Sequence, residues 1–333
     1  MIDFIFTLDY EIYGNGHGSL KELVYEPALK LIDVFNRHKA RLVFFIEVAE
    51  LEIIESARVD PFINEVKKQI KFIKESGFEI GLHIHPQWYE ARFQGGKWSL
   101  NNQEYNLCLL SEDRIEQLLN RAITYLRYLV QDHHFTPIAY RAGNWLINPA
   151  VRVVPALARQ GIKIDSSVFK GGFQRSTGID YRKAPADLYY WKFTDDANIP
   201  AESGLLLEIP IFTKMIPTWQ FLRGKRLNLE KKAPSDEGLK DKISRRLRDF
   251  LRWKVPLKFD FCRLNLQELL SITEEIVTSD RRYHQGYKPI VLIGHTKDNP
   301  DIGMISAFLD YIRYKNIRTA TFEETYRKLI DKV

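Results

Sequence analysis

The chain has 333 residues, of which 45% are hydrophobic and 28% charged, proportions typical of a globular protein with a core. Its two cysteines, Cys108 and Cys262, are too few for a disulfide framework or a cysteine-based zinc site. No apolar run approaches the ~20 residues of a membrane-spanning helix. The first residues lack the basic segment of a signal peptide. The composition therefore predicts a cytoplasmic protein.

The net charge of +6 is concentrated in one segment. Residues 223–258 carry 13 lysines and arginines against 5 aspartates and glutamates, a local charge of +8. A basic segment confined to one place does not indicate a nucleic-acid-binding surface, so we expect no nucleic-acid partner. Ile243, Leu247 and Phe250 recur there at helical spacing. This pattern predicts either a helix on anionic lipid at the inner face of the membrane or a helix packed on the domain with a solvated basic face.

Short strand-like runs alternate with helical patterns along most of the chain. The pattern predicts strands over 2–8, 41–46, 78–84, 137–140, 162–164, 205–209 and 289–293. It predicts helices over 26–38, 61–76, 111–131, 149–160, 301–315 and 321–332. This alternation predicts an α/β fold with a parallel sheet, either a barrel or a doubly wound sheet.

The segment 217–258 does not follow this alternation and is predicted to be a basic helical insertion. The sequence shows no internal repeat, no low-complexity tract and no linker long enough to separate two independent units. We therefore expect residues 1–333 to form one domain with an insertion at about 217–258.

Polar residues gather where five of the predicted strands end. These clusters cover residues 9–11, 83–87, 141–145, 165–167 and 295–298. Because the carboxyl ends of parallel strands form the active face of β/α folds, we expect the clusters to converge. Residues two apart on a strand share a face, so Asp9 can lie beside Glu11, and His83 beside His85. Each pair alone also fits a helix cap or a hydrogen-bonded histidine, whereas together they indicate a divalent metal site.

The motifs at these strand ends resemble, in order, those of polysaccharide deacetylases of the NodB-homology type, carbohydrate esterase family 4. The resemblance lies in Thr-Leu-Asp-Tyr-Glu at 7–11, Arg-Leu-Val-Phe-Phe-Ile at 41–46, Gly-Leu-His-Ile-His-Pro at 81–86, Tyr-Arg-Ala-Gly-Asn-Trp at 140–145 and Gly-His at 294–295. The residues of these motifs are most similar to those of a subgroup encoded in surface-polysaccharide gene clusters. The resemblance implies a distorted (β/α) barrel of seven or eight strands.

The resemblance also implies a metal-dependent amide hydrolase that removes an N-acetyl or related acyl group from a sugar of a surface polysaccharide or its precursor. In that reaction Asp9 is the general base, Arg141 keeps it ionised and oriented, and His295 is the general acid. Asp165 is either a partner of His295 or a turn residue that caps Ser167. A lipid-linked carbohydrate substrate would agree with a basic segment at the membrane.

The resemblance assigns the metal to Glu11, His83 and His85, with zinc expected and cobalt, nickel or manganese as alternatives. Two departures from the family pattern affect this site: Asp9 and Glu11 replace adjacent aspartates, and the histidines are two residues apart instead of four. Three arrangements stay open. His85 completes the ligand set, or His83 binds the metal together with Gln87, Asp9 or water, or the metal is lost.

Aromatic residues near the proposed ligands provide candidate sugar contacts. Trp88 and Trp145 flank the ligands and either stack on a sugar ring or pack within their loops. Tyr10 follows Asp9 and could line the same pocket or stabilise an oxyanion through its backbone N–H. Two other functions compete with the deacetylase: a degenerate, non-catalytic sugar-binding relative, and a hydrolase of small non-sugar amides.

Overall fold

A computed structural model describes residues 1–218, 254–282 and 286–330 of the chain. The strands are β1 (Ile2–Tyr10), β2 (Val43–Glu47), β3 (Glu79–Ile84), β4 (Arg92–Gln94), β5 (Lys97–Ser99), β6 (Ala139–Ala142), β7 (Ile164–Asp165), β8 (Phe173–Gln174), β9 (Ile179–Asp180), β10 (Trp191–Phe193), β11 (Leu206–Glu208), β12 (Thr213–Pro217), β13 (Lys254–Lys258), β14 (Lys288–His295) and β15 (Arg318–Thr319). The helices are α1 (Glu26–His38), α2 (Val48–Ala57), α3 (Ile63–Glu75), α4 (Glu112–Val130), α5 (Val153–Arg159), α6 (Leu266–Arg282), α7 (Ile302–Tyr314) and α8 (Phe322–Ile330).

The main sheet is a curled array of parallel strands in the order β11-β7-β6-β3-β2-β1-β14. β10 joins β11 in antiparallel orientation, and β15 pairs with the first half of β1. Ile211, just beyond β11, forms a parallel bridge with Val291 of β14, the strand at the other end of the sheet. The two ends therefore meet, which confirms the predicted distorted barrel and excludes the doubly wound alternative.

Strand alternation sorts β1 into an outer apolar face and an inner polar face. On the outer face, the Phe6 ring packs edge-on against Phe35 of α1 and Phe308 of α7, at centroid distances of 5.2 and 6.0 Å. On the inner face, Thr7 and Asp9 point into the barrel. β1 is buried on both faces, as expected of a central parallel strand covered by helices.

Several elements differ from the sequence-based predictions. α2 and α6 were not predicted, and short antiparallel hairpins form from β4 with β5 and from β8 with β9. β12 and β13 pair with each other at the two borders of the predicted insertion. The helix predicted around Ile243, Leu247 and Phe250, and with it most of the basic segment, lies outside the described residues. Within the described ranges, no helix is long and apolar enough to cross a membrane.

Candidate active site

Strand register brings the predicted polar residues to one rim of the barrel. Asp9 of β1 is the direct neighbour of His295 on β14, and His83 of β3 is the direct neighbour of Arg141 on β6. Glu11 directly follows β1. All five side chains are buried. The convergence predicted from the strand ends is therefore present in the fold for these residues.

Asp9 is held between a guanidinium and an imidazole. Arg141 Nη1 donates a hydrogen bond to Asp9 Oδ1 at 2.6 Å, and His295 Nε2 lies 3.4 Å from Asp9 Oδ2. The other N–H groups of Arg141 donate to Thr7 Oγ1 and to the Ser166 carbonyl, both at 2.9 Å. Burial alone would raise the pKa of Asp9, but Arg141 and then His295 outweigh it and lower the pKa. Asp9 is therefore an oriented, ionised carboxylate with one oxygen facing His295.

Glu11, His83 and His85 form a compact group of potential metal ligands. Their ligand atoms lie within 4.8 Å of one another. Glu11 Oε2 is 3.1 Å from His85 Nε2 and 3.5 Å from His83 Nε2, yet it is a buried oxygen without a hydrogen bond of acceptable geometry. Lys297 Nζ donates to the other oxygen, Glu11 Oε1, at 2.6 Å. A cation bound by Oε2 would satisfy this orphaned oxygen, so the residues fit a divalent metal.

The tautomer of His83 supports the same assignment. His83 Nδ1 donates to the carbonyl of Arg141 at 2.8 Å, because a carbonyl oxygen can only accept. Neutral His83 therefore directs the lone pair of Nε2 toward Glu11 Oε2, and two lone pairs repel each other unless a cation or a proton lies between them. Burial lowers the pKa of His83, but the neighbouring carboxylates of Glu11 and Asp9 outweigh it and raise the pKa.

His85 is positioned by groups behind its ring. Its backbone N–H donates to Glu47 Oε1 at 2.6 Å. Its Nδ1 lies 3.2 Å from Gln87 Nε2 and 3.3 Å from Asn144 Nδ2. Gln87 therefore contacts Nδ1, the ring nitrogen that faces away from Glu11. This is where a residue that orients the His85 ring would lie. Rotating either amide by half a turn would present its oxygen to Nδ1–H and free Nε2 for a cation.

His295 is supported by an aspartate that the sequence did not single out. Asp298 Oδ2 lies 3.2 Å from His295 Nδ1, and Arg263 donates to both oxygens of Asp298 at 2.8 and 2.9 Å. Burial alone would raise the pKa of Asp298, but His295 and Arg263 outweigh it and lower the pKa well below its usual range. An ionised carboxylate behind Nδ1 favours a proton on that nitrogen and orients the imidazole toward Asp9.

Asp165 does not take the place beside His295 that one prediction gave it. Its two oxygens accept hydrogen bonds from Ser167, one from N–H at 3.0 Å and one from Oγ at 2.8 Å. Asp165 pairs in register with Tyr140, so its side chain lies on the opposite face of the sheet from Arg141. The alternative prediction, a turn residue that caps Ser167, describes these contacts.

Two of the three predicted aromatic contacts point away from the rim. Tyr10 alternates with Asp9 on β1, and its hydroxyl donates to Gln69 Oε1 of α3 at 2.7 Å on the outer face. Trp88 is fully buried because the short turn after His85 directs the indole into the core, edge-on against Trp98. Neither ring presents a free face to a sugar. A role for the Tyr10 backbone N–H stays a prediction.

Trp145 is the predicted aromatic residue that lies at the site. It is partly exposed, and its ring is perpendicular to the His295 ring at a centroid distance of 5.9 Å. Asn144 and Trp145 both have positive φ angles, 55° and 57°. A left-handed conformation costs a non-glycine residue roughly 1–3 kcal/mol, and such strain is concentrated at functional sites. The Trp145 carbonyl accepts a hydrogen bond from the hydroxyl of Tyr181, which fixes this strained turn.

Four residues that shape the site were not assigned roles from the sequence: Glu47, Arg263, Lys297 and Asp298. Lys297 and Asp298 belong to the polar cluster 295–298 that the strand-end rule had identified, and the same rule could have identified Glu47, which ends β2. Arg263 lies in the turn before α6, away from the parallel strand ends, and no sequence pattern marks it.

Comparisons with known proteins show a shared fold at low sequence identity. No protein-family model matches the chain, and no curated protein sequence matches it. A structure assigned as a polysaccharide deacetylase from Mycobacterium smegmatis is similar with a TM-score of 0.57 and 14% identity, covering 99% of this chain and 91% of the other. A GH57-type branching enzyme from Pyrococcus horikoshii is similar with a TM-score of 0.52, 11% identity and coverages of 98% and 70%. The chain therefore has the barrel fold of these carbohydrate-active proteins.

Proposed function

We propose that this protein is a metal-dependent hydrolase that removes an N-acetyl or related acyl group from a sugar of a surface polysaccharide or its precursor. One observation carries the proposal: the buried, unbonded Glu11 Oε2 faces the Nε2 atoms of His83 and His85. The adjacent pair of Asp9 and His295 supplies a base and an acid on the same rim. The similarity of the barrel to that of a polysaccharide deacetylase supports the same reaction class.

Glu11, His83 and His85 would hold the cation, with zinc as the expected ion and cobalt, nickel or manganese as alternatives. When bound, such a cation supplies Lewis acidity toward the amide carbonyl and makes water more acidic, effects worth several kcal/mol of barrier. Lys297 remains on Glu11 Oε1 and offsets part of the carboxylate charge. Glu11 therefore offers a single oxygen, Oε2, to the cation.

Asp9 and His295 move the protons of the reaction. Arg141 occupies Asp9 Oδ1, which leaves Oδ2 to accept a proton from the attacking water. Addition of the water oxygen forms the new C–O bond, and the C–N bond then breaks. His295 donates the proton on Nε2 to the departing amine, while Asp298 behind Nδ1 stabilises the imidazolium. The products are a carboxylate and the free amino sugar.

Metal content and acyl release test this proposal together. Wild-type protein incubated with Zn²⁺ is expected to retain one equivalent and to release acetate from N-acetylated sugars. His83→Ala is expected to lose both properties, whereas His134→Ala, at an exposed histidine, retains both. Wild-type protein that binds no Zn²⁺, Co²⁺ or Ni²⁺ would favour the non-catalytic sugar-binding alternative. Bound metal with release only from small non-sugar amides would favour the other alternative.

A further inference from the structure

A lysine without an anionic partner lies beside the candidate active site. Lys258 is the last residue of β13, and its Nζ lies 3.0 Å from the ring centroid of Trp145 and 4.1 Å from that of Phe169. Within the described part of the chain, no carboxylate lies at ion-pair distance from this ammonium and no acceptor bonds to it. An ammonium group held against two rings, with no anionic partner in the described residues, leaves its N–H donors to water or to a ligand, so this arrangement calls for an explanation.

The two aromatic rings explain only part of why the Lys258 ammonium lies here. A cation over an aromatic face is attracted to the ring, but a ring does not replace the three acceptors that an ammonium group can engage. Burial lowers the pKa of Lys258, and the charge of Arg263 lowers it further, although Asp260 and Asp9 partly oppose this.

The backbone fixes Lys258 in this position. Lys258 pairs in register with Thr213 of β12, and the next residue, Phe259, donates its N–H to the carbonyl of Phe212 at 2.8 Å. The side chain is partly exposed, so a ligand can reach it. The Lys258 ammonium lies over the indole ring of Trp145, and this same ring is perpendicular to the ring of His295. Lys258 therefore belongs to the substrate side of the site.

A second unsatisfied donor lies on the same patch. The indole Nε1 of Trp145 is buried and has no hydrogen-bond acceptor. Trp145 also adopts the left-handed backbone conformation that the Tyr181 hydroxyl fixes. Both groups are donors without an acceptor in the described part of the chain, and one of them is cationic. The missing partner is therefore an oxygen-rich acceptor with a negative charge.

We propose that Lys258 binds an anionic oxygen group, a carboxylate or a phosphate, carried by the sugar substrate next to its amide. The substrate class is thereby narrowed from N-acylated sugars in general to acidic ones, an extension that rests on the proposed function. A carboxylate would belong to a uronic-acid-type sugar, and a phosphate to a sugar phosphate or a lipid-linked precursor.

Binding without turnover tests Lys258 directly. Full-length protein is titrated calorimetrically with three probes: N-acetylglucosamine, N-acetylglucosamine 1-phosphate and glucuronic acid. At least one anionic probe is expected to bind about tenfold more tightly than the neutral sugar, since a charge-assisted contact contributes at least this much. Lys258→Met is expected to abolish the difference and Lys258→Arg to preserve part of it. Lys254→Met, an exposed lysine on the same strand, is the matched control and retains the preference.

Stability separates recognition from a structural role. Lys258→Met removes an unpaired charge and is expected to leave the melting temperature unchanged or raised. A lowered melting temperature would make the lysine structural and overturn the proposal. So would equal binding of neutral and anionic probes to wild type, failure of both anions to bind, or a preference that survives Lys258→Met. Which anion loses affinity in the variant distinguishes carboxylate from phosphate.

The outcomes for the two proposals are distinguishable. If Lys258-dependent anion binding is found but no acetate is released from any sugar, the anion site stands and the deacetylase assignment fails. If neutral N-acetylated sugars are hydrolysed as fast as acidic ones, the deacetylase assignment stands and the anion site fails.

Discussion

The two oxygens of Asp9 have different neighbours, and they therefore have different tasks in the proposed reaction. Oδ1 accepts a hydrogen bond at 2.6 Å from the guanidinium of Arg141, a group that can only donate. Oδ2 faces the imidazole of His295 at 3.4 Å. Arg141 fixes the carboxylate and keeps it ionised, which lowers its strength as a base. In the proposed reaction, the position of Oδ2 next to His295, a group that can take up and return a proton, compensates for this weaker basicity. In the proposed reaction, orientation and not a raised pKa is therefore the main contribution of Asp9.

Replacing His295 tests its role as the acid. His295→Ala removes the proton donor on Nε2 while leaving Glu11, His83 and His85 in place. Acetate release is expected to fall by about 10²–10⁴-fold, the usual contribution of a general acid, with metal content unchanged. Turnover within a few-fold of wild type would reject the role of His295, and loss of metal would place it among the ligands.

Glu47 is expected to act through His85. Its Oε1 accepts from the backbone N–H of His85 at 2.6 Å, and its Oε2 accepts from the N–H of Glu50. An amide can serve only one of these donors, so Glu47→Gln leaves the other buried N–H unsatisfied at a cost of about 1–3 kcal/mol. Zinc affinity is expected to fall about 10–100-fold, as for other partners of metal ligands.

Zinc competition titration and thermal unfolding measure these two effects of Glu47→Gln. Glu52→Gln is the control, because Glu52 also belongs to α2 but pairs with the partly exposed Arg121. Equal zinc affinity in both variants would show that Glu47 stabilises the fold without positioning His85.

At the scale of secondary-structure elements, the local sequence pattern predicted those helices and strands whose bounds depend on neighbouring residues. The bounds of α1, 26–38, agree with those in the structure, because the apolar spacing is regular over this range; a π-helical turn, Lys21–Tyr25, leads directly into the helix. α2 was not predicted because it begins at Val48 directly after β2, so no loop or turn residue separates the strand from the helix. Without such a signal, the sequence pattern does not mark where the strand ends and the helix begins.

α6 carried a start signal that the apolar pattern alone does not reveal. Asn265 Oδ1 accepts from the N–H of Glu268 at 3.0 Å, and Glu268 Oε2 accepts from the N–H of Asn265 at 3.0 Å, a reciprocal capping box. This cap begins the helix directly after the turn that contains Arg263, so it also stabilises the support of Asp298.

Removing this cap is expected to destabilise the element. Asn265→Ala is expected to lower the free energy of unfolding by about 0.5–2 kcal/mol, measured by urea denaturation. Gln267→Ala, an exposed position in the same helix turn, is expected to change it by no more than about 0.5 kcal/mol. Equal effects of the two substitutions would show that the side-chain cap does not stabilise α6.

The site was predictable to the extent that it depends on strand alternation and strand ends. Alternation correctly placed Asp9 and Glu11 on one face, and the same rule places Tyr10 on the other, where it packs outside the barrel. The sequence alone could not exclude Asp165 as the neighbour of His295 in favour of Asp298. That distinction depends on the register between β6 and β7, which no local sequence pattern contains. Long-range register and loop direction account for the remaining differences.

In the whole barrel, chemistry and stabilisation occupy opposite ends of β1. Asp9 is the last residue but one of the strand, at the rim that holds the candidate site, whereas Asp3 lies near its start. Asp3 accepts from Arg318 of β15 at 3.1 and 2.6 Å, from Lys328 of α8 at 2.9 Å and from the Tyr287 hydroxyl at 2.8 Å. These partners are 284 to 325 residues away along the chain. Asp3 therefore connects the first strand to elements near the other end of the chain, apart from the candidate site.

This cluster makes stability depend on pH in a direction that Asp3 determines. Burial alone would raise the pKa of Asp3, but hydrogen bonds from Arg318, Lys328 and Tyr287 outweigh it and lower the pKa. A carboxyl group with a lowered folded-state pKa contributes stability that is complete above its unfolded pKa of about 3.9. That contribution is lost as the pH falls further toward the folded-state value.

Asp3→Asn is expected to lower the free energy of unfolding by about 1–3 kcal/mol near neutral pH, because the cationic partners lose their charged acceptor. The difference from wild type is expected to shrink below about pH 4, where wild-type Asp3 also becomes protonated. Guanidinium unfolding across this range measures it, with Asp310→Asn as an exposed control. Metal content and acetate release should not change, since the cluster lies at the far end of β1. A stability difference that stays constant with pH would assign the effect to packing instead of charge.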